Sequence, residues 1–310
     1  MSVREAGVAT YHYPYGDISF NRDGFPDLEF GGKSKTRIGY FGDSIAFGVG
    51  AGMGYRLSDR LRHLHPITQH LNFAALGDGL TVEGIARTVE LAQRYRLDQV
   101  VYLMNLDDIL PSRGPDEASA EARVMAALGW VRKEADWLRG KSYLYSYVRA
   151  HAVSYFTQIG FGTSGTFAYE FFPRKYPTAL HDTAQRIRTT SERLQKQGIR
   201  FLVVILPYEM QISNEAARVY AAHGIQWEKG FLAGSPQQAL LSELVGIDVL
   251  DATGAFVNRD DARERNGLGQ FYVYNRGEKL DWNHPNRTGH ARLAAFVGDS
   301  GLLIGSRVAN

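Results

Sequence analysis

The sequence predicts an α/β protein with a parallel sheet that is covered by helices on both faces. Segments with strand character alternate along the chain with segments of helical periodicity. Most of the predicted strands are continuous apolar runs, and this pattern is typical of strands buried on both faces. Functional sites in such sheets form beyond the carboxyl ends of the strands.

The first predicted strand covers residues 36–41 and stops at Gly42-Asp43-Ser44. Glycine permits backbone angles that a Cβ forbids, so the chain can turn sharply there. A serine that opens the next helix lies where free backbone N–H groups favour a developing negative charge. By itself, this tripeptide is more often a turn followed by a helix-capping serine. The glycines within residues 48–54 match neither nucleotide-binding fingerprint.

The later elements follow from apolar periodicity and from the residues that end each run. One predicted helix places Ile85, Val89 and Ala92 on a single face. Pro207 stops the apolar run RFLVVIL, and Gly198 ends the helix before it. Four further strands are predicted over residues 67–74, 99–104, 200–206 and 247–250. Helices are predicted over residues 55–64, 82–95, 117–138, 183–197, 215–223, 237–245 and 288–297.

Two segments lie outside this alternation. Residues 1–36 are predicted to form an irregular arm, because glycine, asparagine and proline interrupt a Tyr-rich stretch. Residues from about 111 to 180 are predicted to form a mostly helical, aromatic-rich insertion. This insertion either packs a small core of its own or forms a lid or wall over a site. The whole chain, residues 1–310, is predicted to be one domain.

Composition excludes several classes of function. Apolar residues make up 44% of the chain and charged residues 22%, as in an ordinary soluble globular enzyme. The net charge of +2 indicates no nucleic-acid partner and no membrane-surface role. The absence of cysteine excludes thiol catalysis, disulfides and Cys-ligated zinc. His63, His65 and His70 do not share a helical face, so we expect no metal there and no cofactor elsewhere.

The sequence gives few signals of location. No apolar stretch is long enough to span a bilayer, and residues 1–21 contain no apolar signal-peptide core. We therefore expect a cytoplasmic protein, or a periplasmic or extracellular one if an N-terminal anchor has been removed. No oligomeric state follows from these patterns.

Chemically useful residues recur at the predicted carboxyl ends of the strands. These are Ser44, Gly77, the cluster at residues 105–108 and the pair Tyr208-Glu209. Their agreement favours Ser44 as a nucleophile over Ser44 as a simple turn residue.

A serine nucleophile needs a base that accepts its proton, and the base is commonly a histidine oriented by a carboxylate. Asp281-x-x-His284 supplies both groups. Pro285 biases His284 away from helical angles, which holds the histidine on a turn. The spacing lets Asp281 reach Nδ1 of the imidazole while Nε2 faces outward.

Taken together, these motifs resemble the blocks of the SGNH (GDSL-type) hydrolase superfamily. Gly42-Asp43-Ser44 resembles the first block, Asn72 with Gly77-Asp78 the second, and Asp281-x-x-His284 the fifth. The blocks occur in the family's order. Residues 21–25, Asn-Arg-Asp-Gly-Phe, also resemble the arm that precedes the first block in one bacterial branch. The resemblance implies a three-layer α/β/α sandwich with a five-stranded, flavodoxin-like parallel sheet.

The resemblance also implies roles for individual residues. Ser44 would be the nucleophile, His284 and Asp281 its catalytic partners, and the N–H groups of Ser44 and Gly77 oxyanion donors. Substrate contacts are predicted for four residues beside these motifs or at the end of the fourth predicted strand. They are Asp43, Asp78, Tyr208 and Glu209. The alternative for the last two is a simple loop with the Glu209 carboxylate in solvent.

The third block departs from the family pattern of Gly-x-Asn-Asp. The aligned stretch is Asn105-Leu106-Asp107-Asp108, so Asp107 stands where an asparagine amide would donate to the oxyanion. An ionised aspartate cannot donate and would repel the developing charge. Three explanations remain open: Asp107 is held protonated, Asn105 supplies the amide after a local shift, or catalysis is weak.

The function predicted from the sequence is ester hydrolysis through an acyl-serine intermediate. The expected substrate is a small O-acyl ester, with a carbohydrate or a metabolite as the candidate alcohol. The first alternative is an O-acyltransferase that uses the same three residues, since the aromatic insertion could wall in a bound alcohol. The second is a catalytically weak binding protein on the same fold, which the aspartate at position 107 favours.

Overall fold

The computed structural model describes residues 3–5, 8–13, 15–77, 79–110, 170–223, 225–257, 262–274 and 281–305. The helix predicted over 117–138 and most of the predicted aromatic insertion lie outside these residues, as does Asp78. The described strands are β1 (Val3–Glu5), β2 (Val8–Tyr13), β3 (Gly16–Ser19), β4 (Arg37–Gly42), β5 (Gln69–Asn72), β6 (Gln99–Met104), β7 (Arg200–Ile205) and β8 (Asp248–Asp251). No helix of the described ranges is both long enough and apolar enough to cross a membrane.

The described α-helices lie between and after these strands. They are α1 (Ser44–Phe47), α2 (Leu57–Leu64), α3 (Val82–Arg94), α4 (Pro177–Gln195), α5 (Glu209–Ile212), α6 (Asn214–Ala222), α7 (Ser235–Glu243), α8 (Thr253–Phe256), α9 (Ala262–Arg265) and α10 (Arg287–Asp299). Most bounds agree with the predicted ones within two residues. Helix α4 begins six residues earlier than predicted because Pro177 occupies its first turn, where a missing N–H costs nothing.

Five strands form one parallel sheet in the order β5-β4-β6-β7-β8. All four pairings between neighbours are parallel. The predicted five-stranded parallel sheet is therefore confirmed. The register aligns the strand ends, since Gly42 pairs with Leu103 and Ile205 pairs with both Met104 and Asp251. The residues that follow each strand consequently meet at one edge of the sheet.

Alternate residues of the central strands face two separate cores. On one face, Tyr102 and Met104 pack in the core that also contains apolar residues of α3 and α4. On the other face, Val101 and Leu103 pack with apolar residues of α2 and α10. This alternation follows from the two-residue period of a strand. The result is the predicted three-layer α/β/α sandwich.

The N-terminal arm is more regular than predicted. Strands β1, β2 and β3 form a three-stranded antiparallel sheet over residues predicted to be irregular. The prediction was wrong because turn-forming residues were given more weight than the two-residue alternation of tyrosines from Tyr11 onwards. Gly16 pairs with Tyr13 at the hairpin turn and has a φ of 144°, which favours glycine.

Candidate active site

The turn after β4 presents Ser44 at the carboxyl edge of the sheet. Gly42 has a φ of 134°, and a Cβ on it would lie 2.4 Å from the backbone oxygen of Leu103. No other residue fits this position without displacing the neighbouring strand. Asp43 then caps α1, where its Oδ1 accepts a hydrogen bond of 3.1 Å from the N–H of Ile45. Ser44 is the first residue of that helix.

Ser44, His284 and Asp281 form a continuous hydrogen-bonded series. The Oγ of Ser44 lies 2.8 Å from Nε2 of His284. The Nδ1 of His284 lies 2.8 Å and 2.9 Å from the two carboxylate oxygens of Asp281. Asp281 also accepts a 3.2 Å hydrogen bond from the His284 backbone N–H, which fixes the turn that joins them. The distances match the arrangement predicted from the sequence.

Buried groups hold the backbone of this turn in place. The N–H of Glu209 donates to the Trp282 carbonyl at 2.9 Å. The Tyr220 hydroxyl donates both to a Glu209 carboxylate oxygen at 2.6 Å and to the Asp281 carbonyl at 3.1 Å. On the other side, the N–H of Val273 donates to the His284 carbonyl at 3.0 Å. The turn that carries Asp281 and His284 is thereby fixed from two directions.

Tyr208 and Glu209 lie deeper than the predicted substrate contacts would. Both are almost completely buried, and Glu209 is not a solvated loop residue. Tyr208 donates its hydroxyl proton to Glu170, and Gly269 donates its N–H to Glu209. Burial raises the pKa of Glu209 to about 7, and raises that of Glu170 to about 7 as well. The described contacts of Tyr208 and Glu209 are with buried protein groups, so both residues support the site and do not line it.

The second motif supplies a turn beside Ser44. The amide of Asn72 is buried, where it donates to the Ala46 carbonyl at 2.8 Å and its oxygen accepts from the N–H of Ala74 at 3.0 Å. The N–H of Ala75 donates to the Gly42 carbonyl at 3.2 Å, which ties this turn to the end of β4. Gly77 is exposed and has a φ of 75°. Asn72 therefore acts as a structural anchor for the loop that carries Gly77.

The third motif contains two side chains that each have one polar atom without a described partner. The Oδ1 of Asn105 accepts a 2.8 Å hydrogen bond from the Asp107 N–H, while its Nδ2 is buried with no partner among the described residues. The Nδ2 of Asn283 donates to Oδ2 of Asp107 at 3.0 Å. The other oxygen of Asp107, Oδ1, is buried and has no described partner.

Three carboxyl groups converge here. One oxygen from each of Asp43, Asp107 and Asp108 lies within 4.8 Å of the other two. Two full negative charges at that separation repel each other by about 3 kcal/mol at an effective dielectric constant near 20. Burial raises the pKa of Asp107 well above its usual range, and Asp43 and Glu170 raise it further. Burial raises the pKa of Asp108 in the same way, reinforced by Asp43 and Asp107.

Such a cluster can be neutralised by bound protons or by a cation. Carboxylate oxygens are the ligands that hard cations such as Mg²⁺ and Ca²⁺ prefer, so these three residues are the group that could hold one. The histidines at 63, 65 and 70 do not offer a second group. His70 is buried between Tyr40 and Thr68, and burial lowers its pKa to about 3.

Sequence patterns did not point to two residues that shape the site. Asn283 lies inside the Asp281-x-x-His284 motif, in which the sequence pointed only to Asp281 and His284. Its hydrogen bond to Asp107 is visible only in the structure. Glu170 lies in the aromatic-rich segment, and its contact with Trp282 becomes evident only in three dimensions. A buried acid beside a catalytic motif has no sequence signature of its own.

Comparisons with known proteins place the chain near one group of solved structures. A member of the lipolytic protein G-D-S-L family from Veillonella parvula is 12% identical, with 86% of this chain and 100% of that chain covered and a TM-score of 0.42. A protein named TesA is 13% identical, with the same coverage and a TM-score of 0.43. A lipase/acylhydrolase from Enterococcus faecalis is 14% identical, with 84% and 93% covered and a TM-score of 0.39.

A scan against protein-family models gives no match, and no curated protein has a matching sequence. The sequence motifs and the geometry of the site therefore carry the functional conclusion that follows.

Proposed function

We propose that the protein is a serine hydrolase of the SGNH type that cleaves O-acyl esters through an acyl-serine intermediate. One observation carries this proposal. The Oγ of Ser44, the imidazole of His284 and the carboxylate of Asp281 are joined by hydrogen bonds of 2.8 Å at the carboxyl edge of a parallel sheet. This is the geometry that activates a serine hydroxyl.

The reaction begins when the Ser44 Oγ attacks the ester carbonyl carbon. His284 Nε2 accepts the hydroxyl proton as the bond forms, and Asp281 stabilises the resulting imidazolium through Nδ1. The tetrahedral intermediate then expels the alcohol, which takes the proton from His284. Water repeats the sequence on the acyl-serine, releasing the acid and restoring the Ser44 hydroxyl.

The negative charge that develops on the carbonyl oxygen needs hydrogen-bond donors. The Ser44 N–H opens α1 and has no partner within that helix. The N–H of Gly77, which lies on an exposed turn, is the second donor that the second motif implies. Each such donor typically contributes about 10²–10³ in rate. A third donor is expected from the segment after β6, where Asp107 and Asn105 lie.

Covalent labelling tests this proposal. A fluorophosphonate probe should add its mass to the peptide that contains Ser44, and Ser44→Ala should abolish the adduct. Ser242→Ala, which removes an exposed hydroxyl far along the chain, is the matched control and should label normally. Equal labelling of the Ser44→Ala protein would refute the nucleophile. Activity on p-nitrophenyl acetate should follow the labelling.

Acyl transfer uses the same acyl-serine and differs only in its acceptor. Intact-mass analysis of the acylated protein, followed by addition of water alone or of a panel of sugar alcohols, separates the two outcomes. Rapid deacylation by water supports the hydrolase. Deacylation only with an added alcohol, with the acyl group found on that alcohol, assigns the transferase instead.

A further inference from the structure

The hydroxyl of Tyr220 lies between a buried acid and the backbone of the turn that joins Asp281 to His284. It is 2.6 Å from Oε2 of Glu209 and 3.1 Å from the carbonyl oxygen of Asp281. Tyr220 and Glu209 are both almost completely buried. The Tyr220 ring also packs edge-on against Trp282, with the ring centroids 6.0 Å apart. One side chain therefore contacts two consecutive residues of this turn, through its hydroxyl and through its ring.

The Tyr220 hydroxyl carries one proton, yet two acceptors lie beside it. When Glu209 is ionised, its charged oxygen competes with the neutral Asp281 carbonyl for this proton and forms the stronger hydrogen bond. When Glu209 is a neutral acid, its own Oε2–H donates to the Tyr220 oxygen, and the Tyr220 proton is then directed to Asp281. Oε1 of Glu209 accepts from the N–H of Gly269 in either form. The acid form of Glu209 therefore strengthens the bond that holds the Asp281 carbonyl.

The surroundings of Glu209 favour this acid form. Burial raises the pKa of Glu209 to about 7, although two hydrogen bonds oppose the shift. The charged groups that face Glu209, the carboxylates of Asp281 and Glu215, raise its pKa further. Tyr272 also faces it and donates its hydroxyl proton to a backbone carbonyl. Arg263 of α9 donates to a backbone carbonyl of α5, so its described hydrogen bond does not neutralise Glu209.

The position of the Asp281 backbone decides where its carboxylate lies. Both carboxylate oxygens of Asp281 lie within 2.9 Å of Nδ1 of His284. Nε2 of the same imidazole lies 2.8 Å from Oγ of Ser44. Proton transfer needs such short distances, and a displacement of about 1 Å can cost about 10²-fold in rate. A hydrogen bond at the Asp281 carbonyl therefore bears on catalysis, although Tyr220 lies outside the catalytic series.

We infer that Tyr220 and Glu209 are positioning residues that hold Asp281 in place for the reaction. In its acid form, Glu209 directs the Tyr220 hydroxyl to the Asp281 carbonyl. This hydrogen bond keeps the Asp281 carboxylate in line with His284. The N–H of Glu209 adds a second hydrogen bond to the same turn, at 2.9 Å from the Trp282 carbonyl. The inference rests on the proposed function, and neither side chain exchanges a proton with the substrate.

Tyr220→Phe tests the hydroxyl alone, because phenylalanine keeps the ring that packs against Trp282. The kcat for p-nitrophenyl acetate should fall by about 10–10²-fold with little change in KM, since the variant disturbs His284 and leaves substrate binding intact. Tyr55→Phe, at a tyrosine that is 40% exposed, is the matched control and should keep the wild-type kcat. The endpoint of fluorophosphonate labelling counts the folded molecules with a reactive Ser44 in each sample, and kcat is expressed per labelled serine. A wild-type kcat in Tyr220→Phe would overturn the inference.

Glu209→Gln tests the proton on Glu209, because the glutamine amide donates to Tyr220 at every pH and its oxygen still accepts from Gly269. Glu209 loses its proton as the pH rises through about 7. The ratio of the wild-type kcat to that of Glu209→Gln should therefore fall between about pH 5 and about pH 9, by at most the factor lost in Tyr220→Phe. The ratio cancels any titration that the two proteins share, such as that of His284. A constant ratio would overturn the inference, and Glu192→Gln, at an exposed position, should give a constant ratio as the control.

The same comparison without the hydroxyl shows whether Glu209 acts through Tyr220. The ratio of kcat between Tyr220→Phe and the double variant Tyr220→Phe/Glu209→Gln should not vary with pH, because no hydroxyl remains for Glu209 to direct. A pH dependence as large as in the wild-type background would overturn the inference, since Glu209 would then act by another route. Labelling of Ser44 separates the two levels of the argument. A labelled wild type with the wrong ratios defeats this inference alone, whereas an unlabelled wild type defeats the proposed function.

Discussion

Two groups of buried aspartates lie on this fold and are stabilised in opposite ways. In the first, Asp27 and Asp59 are paired with Arg56 and Arg62 near the start of α2. In the second, Asp43, Asp107 and Asp108 face one another at the carboxyl edge of the sheet with no described ion pair. Asp27, Asp59 and Asp108 are buried, whereas Asp43 and Asp107 are half-buried, and the two groups differ in their partners.

The paired group connects separate segments of the chain. Arg56 donates to Asp59 at 2.7 Å and is itself completely buried. Arg62 donates to Asp27 at 2.7 Å, and Asp27 in turn accepts from the N–H of Asn72 at 2.7 Å. Burial alone would raise the pKa of Asp59, but Arg56 and Arg62 outweigh it and lower that pKa. At Asp27 burial outweighs the same two arginines and raises the pKa, so the arginines offset the cost of burial there only in part.

The unpaired group lacks such compensation and lies beside the proposed nucleophile. Uncompensated buried acids are costly to keep, so they persist mainly where the chemistry needs them. The comparison of the paired and the unpaired aspartates indicates that the number of buried carboxylates says little about function. What distinguishes the two groups is whether a guanidinium accompanies the carboxylates. Changes to the first group should therefore alter stability, and changes near the second should alter catalysis.

The largest effect on kcat is expected from a change in the proposed Ser44–His284–Asp281 series. His284→Ala removes the proposed base, so kcat should fall by about 10⁴–10⁶ while the free energy of unfolding changes little. The measurement is the hydrolysis of p-nitrophenyl acetate, together with urea unfolding. His223→Ala, at an exposed histidine, is the control. An active His284→Ala protein would remove the functional distinction between the two groups.

The paired group should behave in the opposite way. Arg56→Met removes the buried partner of Asp59 and leaves Arg62 as its remaining described ion pair, so the free energy of unfolding should fall by up to about 3–5 kcal/mol. The kcat of the folded fraction should remain close to that of the wild type. Urea unfolding at neutral pH measures the loss, with Arg22→Met as the matched control because Arg22 is exposed.

The double variant Arg56→Met/Asp59→Leu sharpens this prediction. It removes both charges at once, so it should lose less stability than Arg56→Met alone. Equal losses in the two variants would mean that packing, and not the unpaired charge, accounts for the effect.

Glu209 represents an intermediate case, a buried acid with neutral hydrogen-bond partners. Burial raises its pKa to about 7, whereas an unfolded glutamate titrates near 4.3. The folded state thus binds more protons than the unfolded state between these values, so the stability contributed at low pH is lost as the pH rises through about 7. Glu209→Gln should flatten this decline, which is of the order of 3–4 kcal/mol.

The check is urea unfolding of both proteins at several pH values from about 4 to about 8. Glu192→Gln, at an exposed position on α4, should leave the wild-type profile unchanged. A steeper decline in Glu209→Gln than in the wild type would show that the carboxylate is ionised in the fold.

The smallest effect should come from an exposed ion pair. Arg200 and Asp248 join β7 to β8 at 3.1 Å, but both side chains are more than 40% exposed. Asp248→Ala should therefore change the free energy of unfolding by less than about 1 kcal/mol, and by even less in high salt. A loss comparable to that of Arg56→Met would mean that pairing matters independently of burial.

Much of the architecture could be predicted because it depends on local patterns. Apolar runs stopped by Gly42 and Pro207 predicted the strands of the parallel sheet, and the parallel arrangement brought their ends together. The contact between Ser44 and His284 followed from this rule and from the spacing of Asp281 and His284. Periodicity and strand ends carry this information in single segments of the chain.

The remaining features depend on contacts between distant segments. Whether Glu209 is solvated or buried depends on Tyr220 and on the turn at Gly269, which no local pattern links. The partners of Asp107 are likewise Asn283 and Asp43, far apart in the chain. Sequence alone consequently left open whether Asp107 is protonated. The N-terminal hairpin was missed for a different reason. The two-residue alternation of its tyrosines was visible in the sequence, but more weight was given to the turn-forming residues.

The hydrogen bond between Ser44 and His284 joins residues that are 240 positions apart. Closing so long a loop comes late in folding, because its entropy must be offset by contacts already made. Helix α10, which follows His284, also packs on α2 and receives a 3.2 Å hydrogen bond at His290 from the N–H of Leu57. We therefore expect Ser44 and His284 to meet only after α10 has packed on α2. Time-resolved fluorophosphonate labelling during refolding would report the last step of folding, not the formation of the sheet.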